Sequence, residues 1–343
     1  MEYTDDIKKI AAEGLPWEKL EGANVLVTGA TGLIGGCLID VLMCRAPRNY
    51  HVYAVGRNVK RAQKRFSRYI DDALFHFLEY DVQMPCNFDF QVDYIIDAAS
   101  NASPNAFVET PVEIMKSNIV GLANLMDFGI KHGLKRLLFI STGEIYGEGD
   151  GRVFTEDYSG YVDTMSPRSC YPSSKRAAET LCVAYAQEYD VDVVVARLSH
   201  TYGPQYTEYD NRVYAQFIRN VVAGEDIVMK SRGEQFRSWC YVVDCVKGLL
   251  YVLLKGEKGE AYNIADQTSN ISIKELAEMI AKIGCRKVVF DVPPEIEQKG
   301  YNIVKKSVFD TRKLECLGWS ISGTMEEKMI ATIRERLRLE EEK

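Results

Sequence analysis

Tyr171 and Lys175 form the residue pair of this sequence best suited to moving a proton. They lie four residues apart in YPSSK, directly before the amphipathic run RAAETLCVAYAQEY, so in a helix both side chains share one face. Pro172 suits the first turn of that helix. A phenol has an unperturbed pKa of about 10, but an adjacent ammonium or another nearby positive charge stabilises the phenolate. The spacing predicts Tyr171 as a general base and Lys175 as the residue that lowers its pKa.

A glycine-rich turn, TGATGLIG at 28 to 35, predicts a dinucleotide site. It follows the apolar run NVLV and opens the helical pattern LIGGCLIDVLM, which is the context that a phosphate-binding turn requires. Gly29 permits the sharp turn, Gly32 lets the backbone approach a pyrophosphate, and Gly35 lets helix and strand pack closely. The three-residue spacing is typical of short-chain dehydrogenases.

The cofactor-selecting position leaves two possibilities open. The second predicted strand ends in Val55-Gly56-Arg57-Asn58, where an acidic residue would normally bind the ribose hydroxyls. Arg57, with Arg61 nearby, can instead pair with a 2′-phosphate. The cofactor is therefore predicted as NAD, with NADP as the alternative, unless Arg57 is only a surface residue.

Short β-branched runs alternate with longer amphipathic stretches, which predicts an α/β fold with a Rossmann-type doubly wound parallel sheet and a smaller C-terminal substrate lobe. We expect residues 1–200 to form the dinucleotide-binding domain, with 236–250 returning to it, and residues 201–343 to form mainly the substrate lobe. The final stretch from Thr324 reads as a solvated amphipathic helix. The predicted strands are Val25–Thr28, Val52–Val55, Tyr94–Ala98, Leu137–Ser141 and Val191–Leu198, and the predicted helices are Leu33–Cys44, Val112–Lys131 and Pro172–Tyr189.

Composition excludes several classes of protein. A net charge of -7 argues against a nucleic-acid partner, and no apolar run reaches the length of about 18 residues that a membrane span needs. The nine cysteines show neither a Cys-x-x-Cys pair nor a neighbouring histidine, so we expect reduced thiols, no metal site and a cytoplasmic location.

Taken together, five motifs resemble the extended short-chain dehydrogenases of the epimerase/dehydratase family, which modify nucleotide sugars. They are TGATGLIG, DAAS at 97 to 100, STGEIYG at 141 to 147, YPSSK at 171 to 175 and ARLSHTYGP at 196 to 204. The stretch from Ser141 to Leu250 is most similar to UDP-glucuronate decarboxylases. The resemblance implies a nucleoside-diphosphate sugar as substrate and a homodimer formed through the helices around Val112–Lys131 and Pro172–Tyr189.

The resemblance also assigns roles to individual residues. Thr142 bonds the sugar O4, Glu144 sits beside the sugar ring, Asn118 supports the active-site backbone, and Tyr146 packs. The implied catalytic residues are Thr142, Glu144, Tyr171 and Lys175. The implied cofactor-binding residues are Gly29, Thr31, Gly32, Leu33, Ile34, Gly35, Arg57, Asp81, Val82, Ala98, Ala99, Ser100, Asn118, Tyr171, Lys175, Leu198 and His200. The implied substrate-binding residues are Ser103, Thr142, Glu144, His200, Arg212 and Arg237, of which the two arginines would hold the diphosphate.

Several positions depart from the family pattern. Gly143 stands where 4,6-dehydratases carry an Asp, His200 replaces a common Asn, and Gln205 replaces an Arg. Decarboxylases also read the sugar carboxylate with an Arg near the C-terminus, where this sequence offers Lys305 and Lys306. We therefore expect oxidation at C4 followed by decarboxylation at C5. The alternatives are a 4-epimerase, a 4,6-dehydratase and, more remotely, a non-catalytic dinucleotide sensor.

Overall fold

A computed structural model describes residues 2–292 and 304–341. Its strands are β1 (Asn24–Val27), β2 (His51–Gly56), β3 (Phe75–Glu79), β4 (Tyr94–Asp97), β5 (Arg136–Thr142), β6 (Asp192–Leu198), β7 (His200–Tyr202), β8 (Ile227–Met229), β9 (Phe236–Tyr241), β10 (Ala261–Ile264), β11 (Asp266–Ser272), β12 (Val288–Phe290) and β13 (Lys306–Ser307). Its α-helices are α1 (Tyr3–Ala11), α2 (Leu33–Cys44), α3 (Val59–Arg65), α4 (Pro104–Glu109), α5 (Pro111–Lys131), α6 (Cys170–Tyr189), α7 (Val213–Val222), α8 (Val242–Lys255), α9 (Ile273–Ile283), α10 (Arg312–Glu315) and α11 (Met325–Glu341).

The large sheet has seven strands in the order β3-β2-β1-β4-β5-β6-β10, and every neighbouring pair is parallel. Its inner strands are apolar on both faces, as Val25, Leu26 and Val27 of β1 show by being fully buried, because helices cover both sides. The strand order reverses between β1 and β4, which opens a crevice at their carboxyl ends. The predicted Rossmann-type fold is confirmed.

A smaller sheet lies outside this layer and is built around β9. Strand β11 pairs with β9 antiparallel, and β7 and β13 pair with it in parallel. The segment expected at 236–250 to rejoin the first domain is divided: β9 belongs to the smaller sheet, whereas α8 packs on β5 and β6. Strand β10, which lies within 201–343, adds the seventh strand of the large sheet.

The final helix differs from the solvated helix that the sequence suggested. Met325, Met329 and Ile333 of α11 are buried against the core, since they recur at four-residue intervals on one helix face. Lys328 on the same face is 2% exposed and pairs with Asp244 at 2.8 Å. Within residues 2–292 and 304–341, no helix combines the length and apolar character that a bilayer crossing requires.

Candidate active site

The carboxyl ends of the parallel strands form one edge of the large sheet, and most of the predicted site residues lie along it. Gly29 follows β1, Arg57 follows β2, Ala98 follows β4, Thr142 ends β5 and Leu198 ends β6. Because all these strands run in the same direction, residues far apart in sequence reach one crevice.

The glycine turn has the shape of a phosphate cradle. Gly29 has a φ of +61°, and a Cβ there would lie 2.4 Å from the Ala98 carbonyl oxygen. A Cβ at Gly35 would lie 2.5 Å from the Gly29 oxygen, so α2 packs directly on the turn. At Gly32, the N-cap of α2, a Cβ would meet only that same oxygen, at 3.2 Å, and no side chain caps the helix. The helix start therefore has room for an anion beside its free N–H groups.

A buried side-chain pair fixes this turn to the end of β4. The Thr28 hydroxyl donates to Asp97 Oδ1 at 2.7 Å and accepts the N–H groups of Ala98 and Ala99. Burial raises the pKa of Asp97. Ser100, the next residue, has a buried hydroxyl without a hydrogen-bond partner among the described residues. An unpaired buried hydroxyl beside an open helix start fits a dinucleotide cofactor.

The remaining residues of the turn differ in exposure. Leu33 is buried, whereas Thr31 and Ile34 are partly exposed at the start of α2. On the other side, Val82 packs against α5, where a Cβ at Gly121 would meet its side chain at 2.8 Å. These positions agree with the cofactor contacts that the sequence predicted for them, which stay predictions.

Arg57 is held by two carboxylates. Its Nη1 donates to Glu113 Oε1 at 2.9 Å and lies 3.6 Å from Asp81 Oδ2, although its side chain is 60% exposed. The hydrogen bond to Glu113 is the main cause that raises the pKa of Arg57. Arg61 lies one turn into α3, whose N-cap is the Asn58 side chain. Two acidic side chains therefore lie beside Arg57, although the sequence at the end of β2 contains none.

Tyr171 lies at the start of α6, with its ring stacked on Phe107 at a centroid distance of 4.8 Å. Burial, followed by the charge of Glu144, raises the pKa of Tyr171 to about 12. The Thr142 hydroxyl and two arginines oppose this rise. The phenol is thus close to Thr142 and Glu144, as the sequence predicted, and it needs further positive charge before it can act as a base at neutral pH.

Lys175 is buried one helical turn further on. Its Nζ donates to the Ile140 carbonyl at 2.7 Å and lies 4.4 Å from the centre of the Phe139 ring. Burial lowers the pKa of Lys175 to about 8, against the opposing charges of Asp97 and Glu179. The ammonium is directed at a backbone carbonyl, so its role in lowering the pKa of Tyr171 stays a prediction.

Asn118 joins α5 to the start of α6. Its Nδ2 donates to the Ser174 hydroxyl at 2.9 Å, and that hydroxyl donates to the Tyr171 carbonyl at 3.1 Å. This geometry suits the supporting role predicted for Asn118. Its Oδ1 is buried without a hydrogen-bond partner among the described residues.

Glu144 forms an ion pair that the sequence did not indicate. Arg168 Nη2 donates to Glu144 Oε1 at 2.9 Å, and both side chains are 25% exposed. The Arg168 guanidinium also lies 4.5 Å from the centre of the Phe107 ring, whose other neighbour is Tyr171. Arg168 precedes Tyr171 by three residues in a single 3-10 turn, Pro167–Ser169. The position of Arg168 three residues before Tyr171 was the only feature of the sequence that could have indicated its place in the site.

A second group of cations lies where β7 and β9 meet the crevice. Arg237 is 3% exposed, and its guanidinium donates to the backbone carbonyls of Phe236 and Val304. Burial lowers the pKa of Arg237 to about 10, with Glu144 opposing. The His200 ring is tilted against Trp239 at a centroid distance of 5.3 Å, and burial, Arg237 and Arg212 together lower the pKa of its imidazole to about 3. The imidazole is therefore neutral, and a buried guanidinium without a carboxylate bonded to it suits a phosphate.

Two other predicted substrate residues lie on the loop side of this group. Arg212, the N-cap of α7, is held by Asp210 through Nε at 2.9 Å. Ser103, at the start of α4, donates to Asn211 Oδ1 at 2.8 Å. These contacts join the segment after β4 to the segment before α7.

Gly143 is covered by an aromatic ring. A Cβ at Gly143 would lie 1.9 Å from Cζ of Phe309, so no larger residue fits while the ring is in place. Phe309 packs against Tyr146, which is fully buried and donates to Asn263 Oδ1 at 2.6 Å. The Tyr146 side chain packs, as the sequence indicated. Phe309 and Arg168 are the site residues that the sequence analysis missed.

The two lysines suggested near the C-terminus do not enter the site. Lys305 and Lys306 are both exposed, and Lys306 Nζ donates to the Gly151 carbonyl at 3.0 Å. The described residues contain no group of three or more His, Cys, Asp and Glu side chains that could hold a metal ion.

Comparison with known proteins gives this geometry a context. Residues 25–265 match the NAD dependent epimerase/dehydratase family. The chain is similar to UDP-glucuronic acid decarboxylase 6 of Arabidopsis thaliana, with 32% identity over 300 residues, which are 86% of this chain and 83% of that protein. It is 34% identical over 261 residues to UDP-glucuronic acid decarboxylase 1 of Xenopus tropicalis, covering 76% of this chain but only 60% of the frog protein.

A solved structure shares the whole architecture. The UDP-glucose 4-epimerase of Thermotoga maritima, determined with UDP-glucose, superposes with a TM-score of 0.77 at 26% identity. The match covers 92% of this chain and 99% of the epimerase. The names of these decarboxylases and of the epimerase indicate that both kinds of protein act on UDP-sugars but catalyse different reactions.

Proposed function

The chain belongs to the NAD dependent epimerase/dehydratase family, and we propose that it oxidises C4 of UDP-glucuronate and decarboxylates the product at C5. The observation that carries this proposal is the convergence of Thr142, Glu144 and Tyr171 beside the buried Arg237. A hydroxyl and a phenol suit a sugar hydroxyl, and the guanidinium suits the diphosphate. The likeness to decarboxylases over most of the chain supports the choice of substrate.

The residues of the site have separate tasks in this reaction. Thr142 bonds the sugar O4 and Tyr171 accepts its proton. NAD held at the glycine turn at 28–35 would supply the acceptor for the C4 hydride and its donor in the reverse step. The resulting 4-ketone is β to the C5 carboxylate, so the bond to the carboxylate carbon breaks, its electron pair is delocalised into the ketone, and carbon dioxide leaves. A proton from solvent is added at C5, and Tyr171 returns its proton to O4 when the C4 ketone is reduced, which gives the UDP-pentose.

Tyr171 needs help to act as the base. Its pKa of about 12 means that the phenol is protonated at neutral pH in the protein alone. A positive charge near the phenol would lower this pKa, and the candidates are the buried Lys175 ammonium and an oxidised nicotinamide bound at the glycine turn. Proton transfer is therefore tied to cofactor binding.

Elimination of water is disfavoured by the packing at Gly143. A 4,6-dehydratase needs an acid at this position to protonate the departing 6-hydroxyl, and the Phe309 ring occupies the space that its side chain would fill. This observation separates the proposed reaction from dehydration, but not from 4-epimerisation, which uses the same Thr142 and Tyr171.

The decisive experiment is product analysis. The NAD-loaded protein is incubated separately with UDP-glucuronate, UDP-glucose and dTDP-glucose, and the products are examined by mass spectrometry. We expect UDP-glucuronate to lose the mass of carbon dioxide. An isomer of unchanged mass would instead establish an epimerase, and loss of water from a glucose derivative would establish a dehydratase.

We also propose NAD rather than NADP as the working cofactor. Asp81 and Glu113 both pair with Arg57, so the group at this corner has a net negative charge. A 2′-phosphate would have to displace these carboxylates and would be repelled by them. Two free ribose hydroxyls can instead donate to them.

We propose further that two copies associate through α5 and α6. Val112, Met115 and Val120 on α5 and Val183 on α6 are exposed apolar residues on two helices that pack side by side. Analytical ultracentrifugation tests the dimer, which Val183→Glu should dissociate.

We also propose a cytoplasmic location. All nine cysteines are free, as is usual for proteins of a reducing compartment.

A further inference from the structure

The proposed substrate brings a carboxylate into the site, and a cation must bind it. Burying an unpaired carboxylate is unfavourable, so a residue that recognises it is needed. The nearest candidates for the family's C-terminal arginine are Lys305 and Lys306, but both are exposed and Lys306 donates to the Gly151 carbonyl. Among the described residues, the cation must come from elsewhere.

Arg168 is placed to supply it. Its guanidinium lies between Glu144 and the Phe107 ring, and Phe107 is stacked on the ring of Tyr171. Arg168 also acts electrostatically on the phenol, since it is among the groups that hold down the pKa of Tyr171. The cation is therefore next to the base that removes the O4 proton, and the C5 substituent is adjacent to C4 on the sugar ring.

The guanidinium has unused hydrogen-bonding capacity. Nη2 is engaged by Glu144, but Nε is buried and has no hydrogen-bond partner among the described residues. A buried donor without an acceptor is costly, so it points to a missing partner. A planar guanidinium can bond two carboxylates at once, whereas a lysine ammonium lacks this fork.

The other arginines of the site are committed differently. Arg212 is held by Asp210, and Arg237 donates to two backbone carbonyls at the edge of β9, on the side proposed for the diphosphate. His200 is neutral. Arg168 alone among these groups pairs with the carboxylate predicted to lie beside the sugar ring.

We infer that Arg168 is the specificity-determining residue that binds the C5 carboxylate of the substrate, bridging it to Glu144. This inference rests on the proposed function. The family binds this carboxylate with an arginine near the C-terminus. Here Arg168, three positions before Tyr171, would bind it. Glu144 and Phe107 then hold the guanidinium in position before substrate arrives, which reduces the entropy lost on binding.

The test measures binding to the NAD-loaded protein in a Tyr171→Phe background, which stops turnover. Isothermal titration calorimetry compares UDP-glucuronate, UDP-glucose and UDP. We expect Arg168→Met to weaken UDP-glucuronate binding by about 10- to 100-fold, as for a lost pair of charge-assisted hydrogen bonds, and to change the binding of UDP-glucose and UDP by less than about 3-fold. Arg168→Lys should give an intermediate loss because it keeps the charge but not the fork.

Two further variants separate recognition from positioning. Glu144→Gln removes the carboxylate that shares Arg168, so UDP-glucuronate should bind equally well or more tightly. If Arg168 served only to hold Glu144, this variant and Arg168→Met would weaken binding alike. Arg152→Met is the matched control, because Arg152 forms an exposed pair with Asp150 at 2.6 Å. It should leave all three affinities unchanged.

The outcomes distinguish this inference from the proposed function. An equal loss of affinity for all three ligands in Arg168→Met, or no loss for any of them, overturns the role of Arg168 while carbon dioxide release by the unmodified chain still supports the decarboxylase. If the unmodified chain binds UDP-glucuronate no better than UDP-glucose and releases no carbon dioxide, the proposed function fails and the inference fails with it.

Discussion

Two sides of the crevice are built in different ways. The cofactor side consists of the turn at 28–35, the residues 97–100 and Arg57, and its shape comes mainly from backbone: a positive φ at Gly29 and close approaches at Gly35. The sugar side consists of 142–146, 167–171, Arg237 and Phe309, and its shape comes from side chains that meet across long stretches of sequence. A backbone turn leaves a local sequence pattern, but a pocket made of distant side chains does not.

The two sides also differ in charge. On the cofactor side two carboxylates surround one exposed guanidinium, at Arg57. On the sugar side Arg168 forms an ion pair with Glu144, and the buried Arg237 donates to backbone carbonyls. The first arrangement favours free hydroxyl groups and the second favours anions. Substitutions on each side should therefore give separable effects.

The largest effect is expected from Tyr171→Phe, which removes the base on the sugar side only. Turnover of UDP-glucuronate should fall by about 10²- to 10⁴-fold, the usual contribution of a general base. Affinity for NAD should change by less than about 2-fold, because the turn at 28–35 is untouched. Stopped-flow absorbance and NAD titration measure the two quantities.

Tyr185→Phe is the matched control on the same helix. Tyr185 lies near the other end of α6, fourteen residues further along the chain, and donates to Asp127 of α5 at 2.7 Å, so its loss should leave turnover unchanged. Turnover in Tyr171→Phe that equals that of the unmodified chain would remove Tyr171 from the mechanism.

The second effect concerns the packing of Gly143 under Phe309. Phe309→Ala should lower the free energy of unfolding by about 3–5 kcal/mol because it leaves a cavity in a buried cluster. Gly143→Ala should also destabilise the fold, since its Cβ would overlap the ring. The double variant should be more stable than the sum of the two losses predicts, by at least about 1 kcal/mol.

Urea unfolding of the four proteins provides this cycle. Additive losses would mean that the ring moves aside easily, and the argument against an acid at position 143 would then lose its steric basis. Gly14→Ala is the control for adding a methyl group to a glycine, because a Cβ at Gly14 has no atom within 4 Å and its φ is ordinary. Gly133→Ala is unsuitable because the φ of Gly133 is +88°.

The sequence predicted more of the cofactor side than of the sugar side. Five strands of the large sheet were located to within one or two residues, because their apolar runs are continuous. Strands β3 and β10 were missed: only Phe75 of β3 is buried at the sheet edge, and β10 is four residues long within a region without clear periodicity. Thr142, Glu144 and Tyr171 lie close together, since Thr142 ends β5, Glu144 follows it by two residues and Tyr171 lies in the first turn of α6.

Arg168 and Phe309 could not be found in the same way. Their contacts with Glu144 and Gly143 span 24 and 166 residues, and the second one depends on how the C-terminal segment crosses the smaller sheet. The same limit applies to Arg57, whose acidic partners come from the loop after β3 and from α5. Local spacing identifies residues with a chemical capacity, but their partners depend on tertiary structure.

The third effect tests the backbone on the cofactor side. Gly29→Ala should destabilise the fold by about 1–3 kcal/mol and abolish NAD binding, because it adds a close contact with Ala98 to an unfavourable φ. Gly22→Ala has a similar φ of +67° with no atom within 4 Å, so it isolates the cost of the backbone conformation at about 1 kcal/mol. Equal losses in the two variants, measured by thermal unfolding, would mean that the contact with Ala98 is unimportant.

Glu113→Gln is expected to have the smallest effect, and it tests the charge on the cofactor side. The variant removes one of the two carboxylates that pair with Arg57, so the guanidinium becomes available to a 2′-phosphate. The ratio of NADP to NAD affinity should rise by about 2- to 5-fold, which is the size expected for an exposed ion pair. In 1 M salt the change should become smaller, because the Debye length falls to about 3 Å.

Arg57→Ala should reverse the gain when it is added to Glu113→Gln. Fluorescence titration with NADH and NADPH measures these ratios, and a ratio that stays constant across all three proteins would show that Arg57 does not contact the ribose of either cofactor.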